Sequence, residues 1–326
     1  MTGGLSIFLF ASLAAVVLCG LYRWRAAAAG WLAHPEARSS HRNPTVSGAG
    51  AAVVAAIIST LLLFAPPLPL PGYLLLAGSA LLSLLGLVDD LANLGVRLRL
   101  AMYGLAAVLT SIWLCDPGVV PAEWAVVCLA TLWILAFTNL FNFMDGIDGL
   151  AELQALSAAL ALVVTCSLRG ASDWYIAMCW AIAGAFAGFL LFNRPPARLF
   201  MGDAGSIPGG YLLASLLVAG WCLEGIPVYA GLILLAVFVA DATTTLVFRA
   251  WRREALVQAH REHLYQRLAL RWKSHARVDA LFLAVQWLWL TPLAIGVTLK
   301  PASGPALCAL AYFPLLFTMA KLRPMQ

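Results

Sequence analysis

The residues best suited to chemistry are amides and carboxylates that recur at every third position in the segment TNLFNFMDGIDGL. They are Asn139, Asn142, Asp145 and Asp148, with Gly146 and Gly149 between and after the acids. This spacing places the four polar side chains on one drifting stripe if the segment is helical, while the glycines interrupt that helix and let backbone approach a bound group. A helix cap followed by a turn would account for one such residue, whereas four predict a polar ligand.

A second acidic site is the adjacent pair Asp89 and Asp90, which is followed by Arg97 and Arg99. Neighbouring carboxylates at the end of an apolar segment repel each other, so they are costly unless a cation or basic side chains lie nearby. A solvated helix end is the alternative, and the pair by itself does not distinguish the two.

Asp203 lies between Gly202 and a run of small residues that opens the next helix. The free amides of a helix N-terminus attract an anion, and a carboxylate beside them can hold the metal ion that the anion brings. Phe200, three residues earlier, either faces lipid or stacks on a planar ring.

Two histidines, His260 and His263, occur in the segment HREHLYQRL. A zinc site needs further ligands, and no Cys or third His lies close enough in sequence to suggest a complete set. The pair favours a phosphate or sugar contact, with a solvated amphipathic helix as the alternative. Asp241, in the preceding apolar segment, is expected to face other helices because a carboxylate that faces lipid is costly.

The elements that position these residues follow from composition. The 326 residues are 63% hydrophobic and 11% charged, with a mean hydropathy of +0.90, which indicates a membrane protein and excludes a soluble globule. The seven cysteines lie in apolar stretches without a CxxC spacing, so we expect packing roles for them, neither disulfides nor metal ligands.

The apolar segments between charges are long enough to cross a bilayer, which takes roughly 17 to 25 residues per helix. They predict an all-α polytopic membrane bundle of about eleven helices, with ten as the alternative, and the first reads as an anchor that stays in place. The spans are expected at about 3–22, 48–65, 72–88, 100–115, 124–141, 150–168, 174–192, 207–223, 226–248, 279–299 and 305–320.

With these spans, 18 of the 20 Lys and Arg residues fall on one side. By the positive-inside rule that side is cytoplasmic, so the N-terminus is expected outside and the C-terminus in the cytoplasm. The chain is interpreted as a single transmembrane catalytic domain over 1–326. Its cytoplasmic loops are expected at about 23–47, 89–99, 142–149, 193–206 and 249–277, and they bring at least five carboxylates and more than ten arginines to one face.

That combination suits a phosphate-rich substrate held through a divalent cation, because carboxylates alone would repel it. The phosphate loop GxxxxGK[ST] does not occur, and nothing in the composition requires nucleic acid. A secondary transporter is the rival from another class, because an intramembrane acid and many spans fit one as well. Clustering of the polar residues at one face argues against a transporter.

The motifs VDD, NLFNFMDGIDGL, NRPPARLFMGDAGS and HREH occur in this order. Over about residues 39–277 the chain resembles the polyprenyl-phosphate N-acetylhexosamine-1-phosphate transferases, the membrane type of glycosyltransferase family 4. The resemblance implies transfer of a sugar 1-phosphate from a UDP-N-acetylhexosamine to undecaprenyl phosphate, with release of UMP. It also implies magnesium, with manganese as an alternative ion, and an active site on the cytoplasmic face of the bacterial inner membrane in a bundle that is often a homodimer.

Carried over by position, the family's roles fall on the residues singled out above. Asp89 and Asp90 match its acidic pair, which binds or deprotonates the lipid phosphate, and Arg97 resembles a following basic residue. The remaining matches are Asn139, Asn142, Asp145 and Asp148 around nucleotide and diphosphate, Asn193 before the metal site, Phe200 against uracil, Asp203 on magnesium, and His260 and His263 in the histidine motif.

The chain departs from the family pattern in two places, and the first bears on the substrate. The peptidoglycan enzymes of the family have three consecutive histidines where this chain has Arg261, Glu262 and His263, and GlcNAc-1-phosphate transferases usually have a His at the Glu262 position. The HREHLYQRL and SSHRNPT motifs look closer to the branch that initiates O-antigen of lipopolysaccharide from modified N-acetylhexosamines, with a UDP-GlcNAc enzyme as the alternative. The second departure is the segment TVSGAG from Thr45, which leaves the role of that loop open.

The resemblance also implies attack of a lipid phosphate oxygen on the β-phosphorus of the UDP-sugar. Direct in-line attack needs no enzyme nucleophile and is preferred, although Asp89 as a general base or as a transient nucleophile stays open.

Overall fold

A computed structural model describes residues 2–30, 32–33, 45–92, 94–116, 118, 120–255 and 260–322. Most of the expected loop from His34, including the SSHRNPT motif up to Pro44, lies outside these ranges. Two short strands, β1 (Leu32–Ala33) and β2 (Thr45–Val46), pair antiparallel with Leu32 opposite Val46. Everything else of regular structure in the described chain is helical.

The helices confirm the predicted all-α bundle. Their bounds are α1 (Thr2–Ala28), α2 (Gly50–Phe64), α3 (Leu70–Ala92), α4 (Val96–Cys115), α5 (Pro121–Met144), α6 (Leu150–Arg169), α7 (Asp173–Asn193), α8 (Asp203–Cys222), α9 (Val228–Leu234), α10 (Ala236–Trp251), α11 (Leu264–Trp272), α12 (His275–Val285), α13 (Thr291–Leu299) and α14 (Gly304–Lys321). A π-helical turn, Gln286–Leu290, joins α12 to α13, and a 3-10 turn, Pro301–Ser303, precedes α14.

Nine helices of the described chain are long and apolar enough to cross a membrane, or ten if the bent pair α9 and α10 counts as one span. Helix α2, with 15 residues, is shorter than the other spans. The prediction of one continuous span at 226–248 is wrong, because α9 and α10 meet at an angle of 72° at Leu235. Hydropathy reports composition and not direction, so the break is invisible in the sequence.

Helix α8 forms the centre of the bundle, with every residue from Ala204 to Gly220 buried. It packs against α3 and α5, and also against α2 and α4. The start of α8 lies very close to α3. A Cβ on Gly86 would overlap the Asp203 carbonyl, and the Ser83 hydroxyl donates to the Ala204 carbonyl at 2.7 Å. Small residues let helix backbones approach closely in a membrane, and here they fix the position of Asp203.

Apolar side chains are exposed on the perimeter, including Leu13, Leu63 and Phe313, as expected of a surface that contacts lipid. The expected packing role holds for Cys19, Cys166 and Cys179, which are buried; it is wrong for Cys128, which is exposed on α5.

Candidate active site

The two acids at the end of α3 have different partners. Asp89 is 6% exposed and accepts hydrogen bonds from the Leu94 amide and from the Arg99 guanidinium, both at 2.6 Å. Asp90 turns the other way and accepts from the amides of Asp203 and Ala204 at 3.0 and 3.3 Å. Because these are the first amides of α8, Asp90 caps that helix and the pair is not a simple solvated helix end.

Arg99 connects the acidic pair to Asp203. Its Nη1 atom lies 2.6 Å from Asp89 Oδ2 and 3.3 Å from Asp203 Oδ2, so one cation bridges two carboxylates from different helices. Arg97, to which the resemblance assigned the basic role, is exposed on the same helix. Nothing in the sequence pattern distinguishes the two arginines, because only the packing of α4 against α8 selects between them.

Asp203 is the first residue of α8, with its side chain 23% exposed. Gly202 before it has φ +67°, a backbone conformation that side chains rarely adopt, and a Cβ there would overlap the Asp90 carboxylate. The glycine thus permits Asp90 to reach the amides of α8. The segment before Asp203 is held by backbone bonds to the TVSGAG loop, from the Phe200 amide to Val46 at 2.8 Å and from the Gly50 amide to Met201 at 2.9 Å. Phe200 is half-buried at this junction.

The four polar residues of the Asn/Asp motif do not share one helical stripe. Helix α5 ends at Met144, so Asn139 and Asn142 lie on it and the two acids lie in the turn before α6. Asn139 donates to the Leu135 carbonyl of its own helix at 2.9 Å, whereas Asn142 accepts from the Ser206 hydroxyl at 2.8 Å and so reaches α8. The predicted interruption of the helix around Gly146 and Gly149 is thereby confirmed, and the condition for one stripe of four residues, a continuous helix, is not met.

The acids of this turn differ in environment. Burial, together with Asp90 and Asp148, raises the pKa of Asp145 to about 7. Asp148 accepts from the Ala197 amide at 3.1 Å and lies 3.3 Å from His275 Nδ1. The sequence does not single out His275, at the start of α12, because its partner is 127 residues away.

Asn193 links the same turn to the segment that follows α7. It is 3% exposed, its Oδ1 accepts from the Gly149 amide at 2.6 Å and its Nδ2 donates to the Leu199 carbonyl at 2.9 Å. Both ends of the amide are thus engaged within the protein, so the structure gives Asn193 a positioning contact.

The histidine segment is attached to α10. Asp241, 3% exposed, faces the bundle as expected and accepts from the amides of Leu264 and Tyr265 at 2.8 and 3.0 Å, which caps α11. His263 is 2% exposed, with Nδ1 3.6 Å from Asp241 Oδ1, and the half-buried His260 stacks on it with ring centroids 4.9 Å apart.

Two side-chain contacts hold the histidine segment in place. Burial, with Asp241, raises the pKa of Tyr265 well above its usual value, and its neutral hydroxyl donates to the Phe143 carbonyl at 2.9 Å beside the Asn/Asp motif. Glu262, in the same segment, is bound by the buried Arg249 guanidinium.

The residues at the α3–α8 junction fit a divalent cation. Among the residues that the structure describes, no three His, Cys, Asp or Glu side chains are arranged to hold a metal ion. Magnesium is usually bound through one or two carboxylates together with substrate phosphates and water, so it does not need such a group. Asp89 and Asp203, which share the Arg99 guanidinium, supply the carboxylate oxygens that such an ion requires, and Asp90 lies beside them on the first amides of α8.

Fold and site together define a polytopic helical membrane protein with an acidic site where α3, α4 and α8 meet. Residues 73–221 match the family model for glycosyl transferase family 4. The family resemblance predicted from the motifs is thereby confirmed over these residues, which make up a little less than half of the chain.

Three relatives illustrate the range of similarity. A probable undecaprenyl-phosphate N-acetylglucosaminyl 1-phosphate transferase of Bacillus subtilis is 28% identical over 61% of this chain and 58% of its own length. A phospho-N-acetylmuramoyl-pentapeptide-transferase of Moorella thermoacetica is 33% identical over 59% of this chain and 66% of its own. A phospho-N-acetylmuramoyl-pentapeptide-transferase of Heliobacterium modesticaldum is 40% identical over 36% of this chain and 35% of its own length. The matched part of this chain therefore covers between about a third and two thirds of the length of these relatives.

Proposed function

We propose that this chain transfers an N-acetylhexosamine 1-phosphate from a UDP-sugar to undecaprenyl phosphate and releases UMP. The observation that carries the proposal is the junction of Asp89, Asp90, Arg99 and Asp203 at the ends of three packed helices. The guanidinium of Arg99 can bind a phosphate, and the carboxylates beside it can hold the metal ion that accompanies a diphosphate.

An apolar cavity supports a lipid acceptor. It has a volume of about 460 Å³ and is lined by residues of α5, α6, α10, α11, α12 and α14, among them Met144, Asp241 and Tyr265. Met144 directly precedes the turn that carries Asp145 and Asp148, so the cavity adjoins the acidic turn. A polyprenyl chain in this cavity would have its phosphate end near the polar residues.

Within this proposal the chain's own residues bind and orient the substrates. Arg99 contacts an incoming phosphate, Asp90 keeps the start of α8 in place, and Asp203 with Asp89 would hold magnesium, which neutralises charge along the diphosphate. The lipid phosphate oxygen attacks the β-phosphorus in line and the bond to UMP breaks, so no enzyme nucleophile is required. In the proposal His260 contacts the donor, and the buried His263, on which it stacks, keeps its ring in position.

The proposal also covers the donor sugar and the side of the membrane that the site faces. The Glu262 position and the HREHLYQRL motif favour a modified N-acetylhexosamine donor, as in O-antigen initiation, over UDP-GlcNAc. The Lys and Arg asymmetry favours a site on the cytoplasmic face of the bacterial inner membrane. A homodimer would match what the resemblance implies.

The test is turnover by purified protein in detergent with magnesium, a short polyprenyl phosphate and a panel of UDP-N-acetylhexosamines. We expect UMP as the nucleotide product, and regeneration of UDP-sugar when excess UMP is added to the lipid-linked product, because one phosphoanhydride replaces another. Asp203→Asn should lower turnover by roughly two to three powers of ten. Release of UDP as the primary product would contradict attack at the β-phosphorus.

A secondary transporter is the second candidate, favoured by the break between α9 and α10, because discontinuous helices form the binding sites of many transporters. Turnover in detergent, without a sealed compartment, would exclude transport as the explanation of activity.

A further inference from the structure

Helices α4 and α8 run side by side and in the same direction, with side-chain contacts at three levels. At their starts Arg99 meets Asp203 at 3.3 Å, and further along the hydroxyls of Thr110 and Tyr211 are 2.6 Å apart. At their last residues the sulfur atoms of Cys115 and Cys222 approach to 2.9 Å. The two cysteines are thus at the ends of the helices that lie opposite the acidic site.

We propose that Cys115 and Cys222 form a disulfide bond on the non-cytoplasmic face of the membrane. Two sulfur atoms at 2.9 Å need to approach by less than about 1 Å to reach the bond length of a disulfide. Both residues end their helices, where the backbone can adjust, and both are half-buried, so that a thiol oxidant can reach them.

The compartment follows from the charges. The starts of α4 and α8 belong to the connections that hold 18 of the 20 Lys and Arg residues, and the opposite side holds Arg169 and Lys300. The positive-inside rule places the cysteine ends outside the cytoplasm, where disulfides persist. This differs from our sequence prediction of packing roles, because the proximity of residues 107 positions apart is not visible in the sequence.

The chemistry is thiol–disulfide exchange with an extracytoplasmic protein disulfide. One cysteine thiolate attacks the donor's disulfide and forms a mixed disulfide, which the second cysteine then resolves. The two thiols of this chain lose two protons and two electrons, and the donor leaves as a dithiol.

A second pair provides an internal control. Cys166 on α6 interacts with Cys179 on α7, and both are fully buried. An oxidising protein cannot reach them, so this pair should remain as thiols in the same molecule.

The experiment uses the full chain in the inner membrane of a bacterium with an oxidising periplasm. Thiols are trapped with acid and N-ethylmaleimide, and the peptides are analysed by mass spectrometry with and without dithiothreitol. We expect Cys115 and Cys222 in one cross-linked peptide pair and alkylatable only after reduction, while Cys166 and Cys179 are alkylated without it. In Cys115→Ser, Cys222 should become alkylatable without reductant, and a host without its periplasmic thiol oxidase should yield the dithiol.

Full alkylation of Cys115 and Cys222 in the unreduced oxidising host would overturn the proposal, whether or not copper-phenanthroline then closes the bond. The readout does not involve sugar-phosphate transfer, so its failure and the failure of the proposed function are separate results.

Discussion

At the scale of single residues, Arg99 is the cation held between Asp89 and Asp203, and Arg97 two residues earlier is its exposed neighbour on the same helix. We predict that Arg99→Ala lowers kcat/KM by roughly 10²-fold, since one preorganised electrostatic contact is lost, and that Arg97→Ala changes it by less than about threefold. Steady-state kinetics with both substrates measures the difference. Equal losses in the two variants would contradict the assignment of the bridge to Arg99.

Asp145 gives a pH dependence whose sign is fixed by its pKa of about 7. An unfolded-state carboxyl titrates near about 3.9, so the folded state binds the proton more tightly and loses stability as pH rises from about 4 to about 7. Asp145→Asn removes that loss. In EDTA the variant should melt above the wild type at pH 8, with the gain shrinking toward pH 5. A constant difference across this range would show that the charge of Asp145 is not the cause.

The sequence predicted which polar residues are grouped in motifs. It did not predict which of them contact one another. The acidic pair, the Asn/Asp motif and Asp203 were identified from spacing and helix-start signals. The bridge made by Arg99 and the contact of His275 with Asp148 were missed because the partners lie 10 to 127 positions away. Asn193 and Glu262 were identified as residues of interest, yet their side chains bond to Gly149, Leu199 and Arg249 within the protein.

At the scale of elements, composition predicted an all-α bundle of ten or eleven spans, of which nine or ten are long and apolar enough in the described chain, and it did not predict the bend within the span at 226–248. The break at Leu235 carries neither Gly nor Pro, so tertiary packing and not local sequence turns α9 away from α10. The early end of α5, by contrast, has a local cause in the glycines of the Asn/Asp motif.

Asp241 of α10 accepts hydrogen bonds from two amides at the start of α11 and so attaches that helix to α10. We predict that Asp241→Ala lowers the free energy of unfolding by roughly 2–3 kcal/mol, because buried amides lose their acceptor, and that Asp241→Asn costs less. Thermal unfolding in detergent measures the change, with Thr243→Ala, exposed on the same helix, as the control. A loss in the control as large as that in Asp241→Ala would show that α10 is sensitive to any substitution.

At the scale of the whole molecule, the orientation in the membrane decides which compartment the acidic site faces. The span from His275 to Leu299 contains 25 residues and is therefore about 37 Å long, more than the roughly 30 Å of a hydrocarbon core. Ala276 and Ala302 are exposed at its two ends, which makes them a matched pair for labelling.

With the native cysteines replaced, Ala276→Cys and Ala302→Cys should differ in their reaction with a membrane-impermeant maleimide. We predict that Cys at 302 is labelled in intact cells, and that Cys at 276 is labelled only after the membrane is opened, because the side rich in Lys and Arg stays in the cytoplasm. Labelling of position 276 from outside would invert the topology. The acidic site would then face away from the cytoplasm, and Cys115 and Cys222 would lie in a reducing compartment.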